Sequence, residues 1–450
     1  MTPSVALVVD ATASPLDRAL IDHAFRVWAM SRRFRVADTD HADHRLHYGG
    51  SSVDALPVAG PLGGARWADG LPFAHRAQSG AEPDHLAEIA HWVSARAEAE
   101  ATTDSIGRVP FAGSTAASLD ADPEIPWASR HLDAFDAAVL RRIPSLGDAL
   151  TTDRGGLRIL GSHDIDFIAR SRSERIERVA KNLGVAAIRM RDPRLVASIA
   201  SCVVGNLLAR RPILGDIATV MALEAEHGVK STWNVIVRNA HRRDAAYGLH
   251  EPAVCALLDH LTEAGHEIGL HGSYTSGDTP GGLAEEFDLL RATGQPAVGH
   301  RHHWLRHDGF GLWQALAKAG ASYDSSAGWS ETNGFRHGMA EPFVPFDLTT
   351  GDAARVVEIP LVMMDVALSD ADRRGEDAVR SAHRILDEAA RHGGAVSVLW
   401  HDTTVLGTQV RRGIGGLYAQ LLARGDRWER SDRMAAQYER FGVAAGLPLG

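Results

Sequence analysis

A chain of 450 residues, with 45% hydrophobic and 23% charged residues, has the composition of a globular protein and is long enough for two domains. Its net charge of -10 and pI near 6.1 argue against binding to nucleic acid or to an anionic membrane surface. The only cysteines, Cys202 and Cys255, argue against a disulfide scaffold. With no basic n-region before Asp10 and Asp17, no secretory signal is expected, and a cytoplasmic location is favoured.

Residues 1–150 are predicted to form a small N-terminal α/β domain. This part mixes a short apolar run, "VALVVD", with helical patches and with glycine- and proline-rich connectors such as "LPVAGPLGG". Nothing in the pattern reveals its role. The polar, glycine-rich stretch "TTDRGG" predicts a domain boundary, so residues 151–450 are expected to form the second domain.

From Leu157 onward, short β-like runs such as "LRIL", "HEIGL" and "AVSVLW" alternate with longer helical patterns. This alternation is typical of a parallel βα array, and the number of runs favours a barrel-like sheet over an open one. The longest weakly charged segment, Leu195 to Ala209, has 15 residues and is short for a membrane span. It is predicted to be a buried helix, so no membrane span is expected.

Polar residues follow five of the predicted strands at the point where each strand ends: Asp164 and Asp166, His271, Arg301 and His303, Asp324, and His401. In parallel βα folds, the carboxyl ends of the strands converge on one face, where active sites form. Each residue alone has a structural explanation, as a turn, a helix cap, an ion pair or a hydrogen-bonded histidine. Their joint placement predicts one shared site.

The residue types indicate a metal-dependent hydrolase. Carboxylate oxygens and imidazole nitrogens suit zinc or another first-row dication, which would lower the pKa of a bound water toward about 7. One of the adjacent carboxylates, Asp164 or Asp166, can hold the metal while the other takes the proton of the water. The dication and Arg301 would relieve the repulsion between them.

In motif order and spacing, residues 155–440 resemble the polysaccharide deacetylase family, also called carbohydrate esterase family 4. That family hydrolyses acetamide groups on sugars and carries five motifs on a deformed (β/α) barrel. "SHDIDF", "HEIGLHGSY", "RHHWLR", "YDSSAGW" and "VLWHDT" are similar to these motifs in order. The variants "LHGSY" and "GFRHG" resemble a subgroup with an appended N-terminal region. The fold class implied is an α/β protein with a deformed barrel and a smaller N-terminal α/β domain.

The resemblance also implies a role for each strand-end residue: Asp164 as catalytic base, Asp166 and His271 as metal ligands, Arg301 orienting the base, Asp324 tuning the acid, and His401 as the acid that protonates the leaving amine. The implied cofactor is a divalent metal, with zinc ahead of cobalt, nickel or manganese. The family's second metal-binding histidine falls at Thr275, whose hydroxyl is a poor zinc ligand. We predict that His303 replaces it, with Asp278 and His302 as alternatives.

Three further residues are candidates for substrate contact. Arg336, in "NGFRHG", is expected to bind an anionic part of the substrate or to form a structural ion pair. Trp329 and Trp400 are expected to stack on a sugar ring or to pack in the core. His163 is expected to be a packing residue or to support the ligands rather than bind the metal.

The leading functional hypothesis is a metal-dependent hydrolase of a non-peptide C–N bond that removes acetyl from an N-acetylated sugar or a glycan precursor. An amide hydrolase acting on a small non-carbohydrate molecule is the alternative enzyme. Because Thr275 removes one expected ligand, a non-catalytic carbohydrate-binding relic is the alternative from a different class.

Overall fold

The computed structural model describes residues 3–9, 14–48, 62–68, 70–75, 83–151, 154–168, 171–210, 217–306, 311–405, 414 and 416–449. The α-helices in these ranges are α1 Pro15–Ser31, α2 His85–Val93, α3 Thr115–Ser118, α4 Trp127–Arg142, α5 Gly147–Leu150, α6 Arg172–Gly184, α7 Pro193–Leu208, α8 Ile217–Glu226, α9 Pro252–Glu263, α10 Gly282–Arg291, α11 Gly311–Lys318, α12 Asp365–Arg373, α13 Ala378–Arg391, α14 Leu417–Leu422 and α15 Ser431–Ala444. The strands are β1 Ser4–Val9, β2 Arg35–Val36, β3 His44–Tyr48, β4 Leu62–Ala68, β5 Leu71–His75, β6 Arg158–Ile165, β7 Thr232–Val235, β8 Glu267–Gly272, β9 Gly299–His302, β10 Tyr323–Asp324, β11 Phe346–Asp347, β12 Asp352–Ala353, β13 Val357–Glu358, β14 Leu361–Met364, β15 Ala395–Leu399 and β16 Arg427–Trp428.

The N-terminal part is a small α/β assembly. Strands β2, β1 and β3 form a parallel sheet in that order, and β4 and β5 form an antiparallel pair. Helix α1 begins where Ser14 Oγ accepts a hydrogen bond from the backbone N–H of Asp17, with Pro15 in the first turn. Its apolar face, which includes the fully buried Phe25 and Trp28, contributes to the core.

The rest of the chain forms a parallel sheet that closes on itself. The strand order is β13, β10, β9, β8, β7, β6, β15 and β14, and every pairing between these neighbours is parallel. The two outermost strands, β13 and β14, are separated by only two residues along the chain. The extended segment 357–364 therefore serves both edges and closes the sheet into a deformed barrel, which confirms the fold class predicted from the sequence.

Strand register brings the predicted site residues to one end of the barrel. Asp164 of β6 is aligned with Asn234 of β7, and His271 of β8 is aligned with Arg301 of β9. All eight residues of β6 are buried, as expected for a strand covered on both faces. Because the strands are parallel, their carboxyl ends share one face, and the helices return the chain to the other.

One apolar core spans the predicted domain boundary near residue 150. Trp28, Trp92 and Phe135 from the N-terminal part lie in the same buried cluster as Met434 and Tyr438 of α15. The segment 339–359, which leads into the closing strand, contributes further members of this cluster. The N-terminal part and the barrel are therefore joined by continuous apolar packing.

Helices α6 and α7 form a hairpin inserted between β6 and β7. The predicted helix at Leu195–Ala209 is present in α7, but the prediction that it is buried is wrong. Only Leu195, Ile199 and Asn206 are buried among its 16 residues, and Leu195 and Ile199 belong to a small apolar cluster within the hairpin. Among the described residues, no helix has the length and apolarity needed to cross a membrane.

Candidate metal and catalytic site

Two histidines and one aspartate meet at the carboxyl end of the barrel. Asp166, His271 and His303 each present one ligand atom, and these three atoms lie within 4.8 Å of one another. Nε2 of each histidine is 3.6 Å from Oδ1 of Asp166. Both histidines are buried, whereas the Asp166 side chain is 39% exposed and opens to the barrel mouth.

Hydrogen bonds donated by Nδ1 fix both imidazoles so that Nε2 faces Asp166. Nδ1 of His271 donates to the backbone carbonyl of Arg301 at 2.9 Å. Nδ1 of His303 donates to Oδ1 of Asp244 at 3.2 Å. This arrangement leaves the lone pair of each Nε2 available as a ligand, which is the pattern of metal-binding histidines supported by a carbonyl or a carboxylate.

The charges of the cluster favour an ionised carboxylate. Partial burial acts to raise the pKa of Asp166, but the nearby imidazoles of His271, His401 and His303 hold that pKa well below its usual value. Burial acts to lower the pKa of His271, and the carboxylates of Asp164 and Asp166 raise it overall. An anionic oxygen facing two imidazoles has the charge and the donor types that a dication needs.

Asp164 lies beside this cluster and is held by a neighbouring strand. Its Oδ1 accepts a hydrogen bond from Nδ2 of Asn234 at 2.8 Å, and its Oδ2 is 3.7 Å from Nε2 of His271. The carboxylate is buried, with 4% of the residue exposed. Asp164 is therefore positioned next to the three candidate ligands without belonging to their set.

His401 lies two residues after the end of β15 and faces the same cluster. Its Nε2 is 3.5 Å from Oδ2 of Asp166. Its Nδ1 donates to Oδ1 of the fully buried Asp365 at 2.7 Å, and its backbone N–H donates to Oδ2 of the same carboxylate at 3.1 Å. Two bonds to one carboxylate fix both the tautomer and the direction of the ring, which leaves Nε2 facing the mouth.

Arg301 and Asp324 lie at the strand ends, with partners that differ from those expected. Arg301 donates to the hydroxyls of Ser325 and Ser397 at 2.9 Å and 3.1 Å, while Asn234 is the partner of Asp164. Oδ1 of Asp324 accepts from Nδ1 of His300 at 2.8 Å. Arg301 Nη1 is buried and has no hydrogen-bond partner in the described part of the chain, so its two N–H groups are unpaired there.

The alternative third ligands lie elsewhere. Asp278 has a side chain that is 62% exposed and pairs with Arg306. His302 is buried, and burial, together with the charges of His300 and Arg306, holds its pKa well below the usual value. Thr275 occupies a turn in which its carbonyl accepts from Thr279 Oγ1. Of these candidates, His303 alone is grouped with Asp166 and His271.

The predicted substrate contacts are structural. Arg336 is buried and forms a bidentate ion pair with Glu98, with Nη2 at 2.6 Å from Oε2, so its charge is neutralised inside the protein. Trp400 is fully buried and stacks on Tyr418, with ring centroids 5.4 Å apart. Trp329 is 4% exposed and packs edge-on against Phe111. Arg336 therefore forms the structural ion pair and does not face the mouth as an anion-binding group. Trp329 and Trp400 pack in the core and are not available to stack on a sugar ring.

A different tryptophan, Trp304, is exposed near the mouth of the barrel. Trp304 directly follows His303, is 43% exposed and has a φ of 65°, a strained value for a bulky residue. The guanidinium of Arg243 lies between Trp304 and Tyr274, 5.3 Å and 5.1 Å from the two ring centroids. Arg108, from the N-terminal part, donates to the Trp304 carbonyl at 3.3 Å.

Four residues near the site were not predicted from the sequence. Asp365 directly follows β14, so it is a further polar residue at a strand end. Asp244 and Trp304 lie in loops, and only spatial proximity to His303 marks them. Asn234 lies inside the β-like run "KSTWNVIV", where a polar residue within an apolar strand is a signal of a buried polar contact.

The fold and the site together define a (β/α)-barrel protein with a His–His–Asp cluster at the carboxyl ends of its strands. No family model matches the chain, and no curated protein matches it.

Solved structures that are similar to the chain include three proteins of low identity. A protein described as a polysaccharide deacetylase, from Mycobacterium smegmatis, is 18% identical over 64% of this chain and 92% of its own, with a TM-score of 0.36. The PuuE allantoinase is 14% identical over 64% and 91%, with a TM-score of 0.37. The chitin deacetylase of Colletotrichum lindemuthianum is 10% identical over 62% and 87%, with a TM-score of 0.31.

Proposed function

We propose that the protein is a metal-dependent hydrolase of a non-peptide C–N bond that removes acetyl from an N-acetylated sugar or glycan precursor. One observation carries this proposal: a candidate metal cluster, a separate carboxylate and a carboxylate-held histidine converge at one mouth. Asp166, His271 and His303 form the cluster, and Asp164 and His401 flank it. The five motifs that resemble polysaccharide deacetylases supply the substrate class.

The residues present fit a divalent metal. Asp166 is the anionic ligand, and Nε2 of His271 and of His303 are the neutral ones, with zinc as the first choice for this donor set. A metal held there would supply Lewis acidity, polarising the carbonyl of the amide and acidifying a water molecule. Three protein ligands leave an open position, as catalytic metal sites require.

The proposed acid and base are held by separate partners. Asp164, fixed by Asn234, accepts a proton from the attacking water. His401 donates a proton from Nε2 to the leaving amine, while Asp365 holds Nδ1–H and stabilises the imidazolium form. The guanidinium of Arg301, buried on β9 in register with His271, places a positive charge at the same end of the barrel as the carboxylates.

The test is acetate release from a panel of N-acetylated sugars and oligosaccharides by the metal-loaded protein, beside linear and cyclic small amides. Hydrolysis of an N-acetyl sugar supports the proposal. Turnover of the small amides alone would replace the sugar with a non-carbohydrate substrate. Absence of turnover on the whole panel with metal bound would favour the binding relic.

The variant Asp164→Asn tests the base. Because the Asp164 side chain is not one of the proposed ligands, we expect kcat to fall by about 10²-fold or more while metal content stays the same. The measurements are steady-state kinetics and elemental analysis of the same preparation. Unchanged turnover would refute the role of Asp164.

A further inference from the structure

We propose that the hairpin formed by α6 and α7, residues 171–210, docks onto an anionic lipid surface. This inference goes beyond the proposed hydrolase activity and does not depend on it. The net charge of the whole chain is -10 and predicts no attraction to such a surface. The hairpin departs from that average in both its charge and its exposed apolar groups.

The hairpin is strongly basic. Its eight cationic residues are Arg172, Arg175, Arg178, Lys181, Arg189, Arg191, Arg194 and Arg210, and its three acids are Glu174, Glu177 and Asp192. Six of these cationic residues are exposed: Arg172, Lys181, Arg189, Arg191, Arg194 and Arg210. A local excess of positive charge on an acidic protein selects an anionic partner.

The same hairpin exposes large aliphatic side chains. Among the described residues, five of its large aliphatic side chains are exposed: Ile176 at 51%, Ile188 at 79%, Val204 at 54%, Leu207 at 52% and Leu208 at 81%. The other exposed large apolar residues described are scattered singly over the rest of the molecule. Aliphatic groups together with cations on a helical element are the features of a segment that lies in a lipid–water interface.

The hairpin has a small apolar cluster of its own. Ala186, Leu195 and Ile199 form its buried cluster, with Leu183 and Val203 packed at the border, and this cluster is separate from the two large cores. Asp192 Oδ1 accepts from the backbone N–H groups of Arg194 and Leu195 and begins α7. Ile188, Leu207 and Leu208 are therefore left outside a core that is already formed.

Its place in the chain connects the hairpin to the site. Strand β6 ends at Ile165, Asp166 follows, and α6 begins six residues later at Arg172. The hairpin thus leaves the barrel at the face on which the candidate site lies. A lipid surface held by the hairpin lies on that same side, so the docked protein meets molecules carried at the surface.

The experiment is co-sedimentation of the full chain with vesicles of phosphatidylcholine and phosphatidylglycerol, compared with vesicles of phosphatidylcholine alone. We expect binding to the anionic vesicles that weakens as salt is raised. The double variants Leu207→Ser/Leu208→Ser and Arg189→Glu/Arg191→Glu are each expected to weaken it by about tenfold or more. These side chains are exposed, so the variants are expected to fold, which circular dichroism verifies.

Two control variants carry one substitution of the same kind elsewhere on the surface. Val443→Ser removes an aliphatic group that is 52% exposed on α15, and Arg380→Glu reverses a side chain that is 81% exposed on α13. Both should bind as the wild type does.

Equal binding to neutral vesicles, or full binding by the hairpin variants, would overturn the proposal. So would a dimer in sedimentation velocity that the Leu207/Leu208 variant converts to monomer without vesicle binding. Because no substrate is present, failure here is distinct from failure of the hydrolase proposal.

Discussion

Asp365 is proposed to act on the reaction through its hydrogen bond to His401. We predict that Asp365→Asn lowers kcat by about 10²-fold, because an amide no longer stabilises the imidazolium form of His401 or fixes its tautomer. Since Asp365 is a positioning residue, the pH profile of kcat should shift as well, which a purely structural effect would not produce. Steady-state kinetics across pH measure both.

The matched control for Asp365 lies on the same helix. Asp370 pairs with Arg373 on α12, so Asp370→Asn removes a carboxylate from the same helix that is unrelated to His401. Its kinetics should match those of the wild type. An equal loss in both variants would attribute the effect to the helix rather than to the contact with His401.

Asp244 holds His303 in the same way that Asp365 holds His401. Burial acts to raise the pKa of Asp244, but the hydrogen bond from His303 and two backbone N–H groups lower it overall, which keeps the carboxylate ionised. We predict that Asp244→Asn lowers metal affinity by about 10- to 100-fold, as loss of such a supporting carboxylate does. Competition with a chromogenic chelator measures this affinity.

Asp278→Asn is the control for Asp244. Asp278 is an exposed acid near the same loop that pairs with Arg306. If metal affinity falls equally in both variants, general negative charge near the mouth, rather than the contact with His303, sustains binding.

At the scale of elements, the ion pair of Glu98 and Arg336 joins the short helical turn Arg96–Glu100 to the loop after β10. Both side chains are 1% exposed, so removing one partner leaves a buried charge. We predict that Glu98→Gln and Arg336→Met each destabilise the protein by about 3–5 kcal/mol, and that the double variant recovers most of this loss. Urea unfolding measures the three free energies, and additive losses would contradict the coupling.

The elements also show what the sequence could and could not predict. The alternation of strands and helices and the glycine ends of helices, such as Gly265 and Gly294 with a φ of 87°, follow from local patterns and are observed. Strand ends located Asp166, His271 and His303 near one another, because parallel topology converts sequence position into a place on one face. The partners of Arg301, Asp324 and Arg336 depend on loops and distant elements, which no local pattern encodes.

At the scale of the whole molecule, the N-terminal part and the barrel share one apolar core, so we predict that the barrel does not fold without the N-terminal part. We expect the fragment 151–450 to be unfolded or aggregated when made alone, because α15 and segment 339–359 would expose the apolar surface that Trp28, Trp92 and Phe135 cover. Circular dichroism and limited proteolysis of the fragment, beside the full chain, test this. A fragment that unfolds cooperatively at the temperature of the full chain would show that the N-terminal part is an independent domain.

The N-terminal part also reaches the mouth, which the sequence did not reveal. Arg306 donates from Nε to the carbonyl of Ile106 at 2.6 Å, and Arg108 reaches the carbonyl of Trp304. Phe111 packs on Trp329, beyond β10. These contacts support the loops that carry His303 and the exposed Trp304, so the N-terminal part contributes to the shape of the site.

The order in which the barrel closes has a consequence for biosynthesis. A ribosome releases Asp166, His271 and His303 before segment 357–364 and β15 exist, and His401 follows about 100 residues after His303. Until β15 arrives, one edge of β6 has no strand beside it, and such an edge invites pairing with other nascent chains. The three candidate ligands therefore leave the ribosome well before the proposed acid. A chain stalled between residues 303 and 365 would lack Asp365, His401 and the strand β15 that covers the open edge of β6.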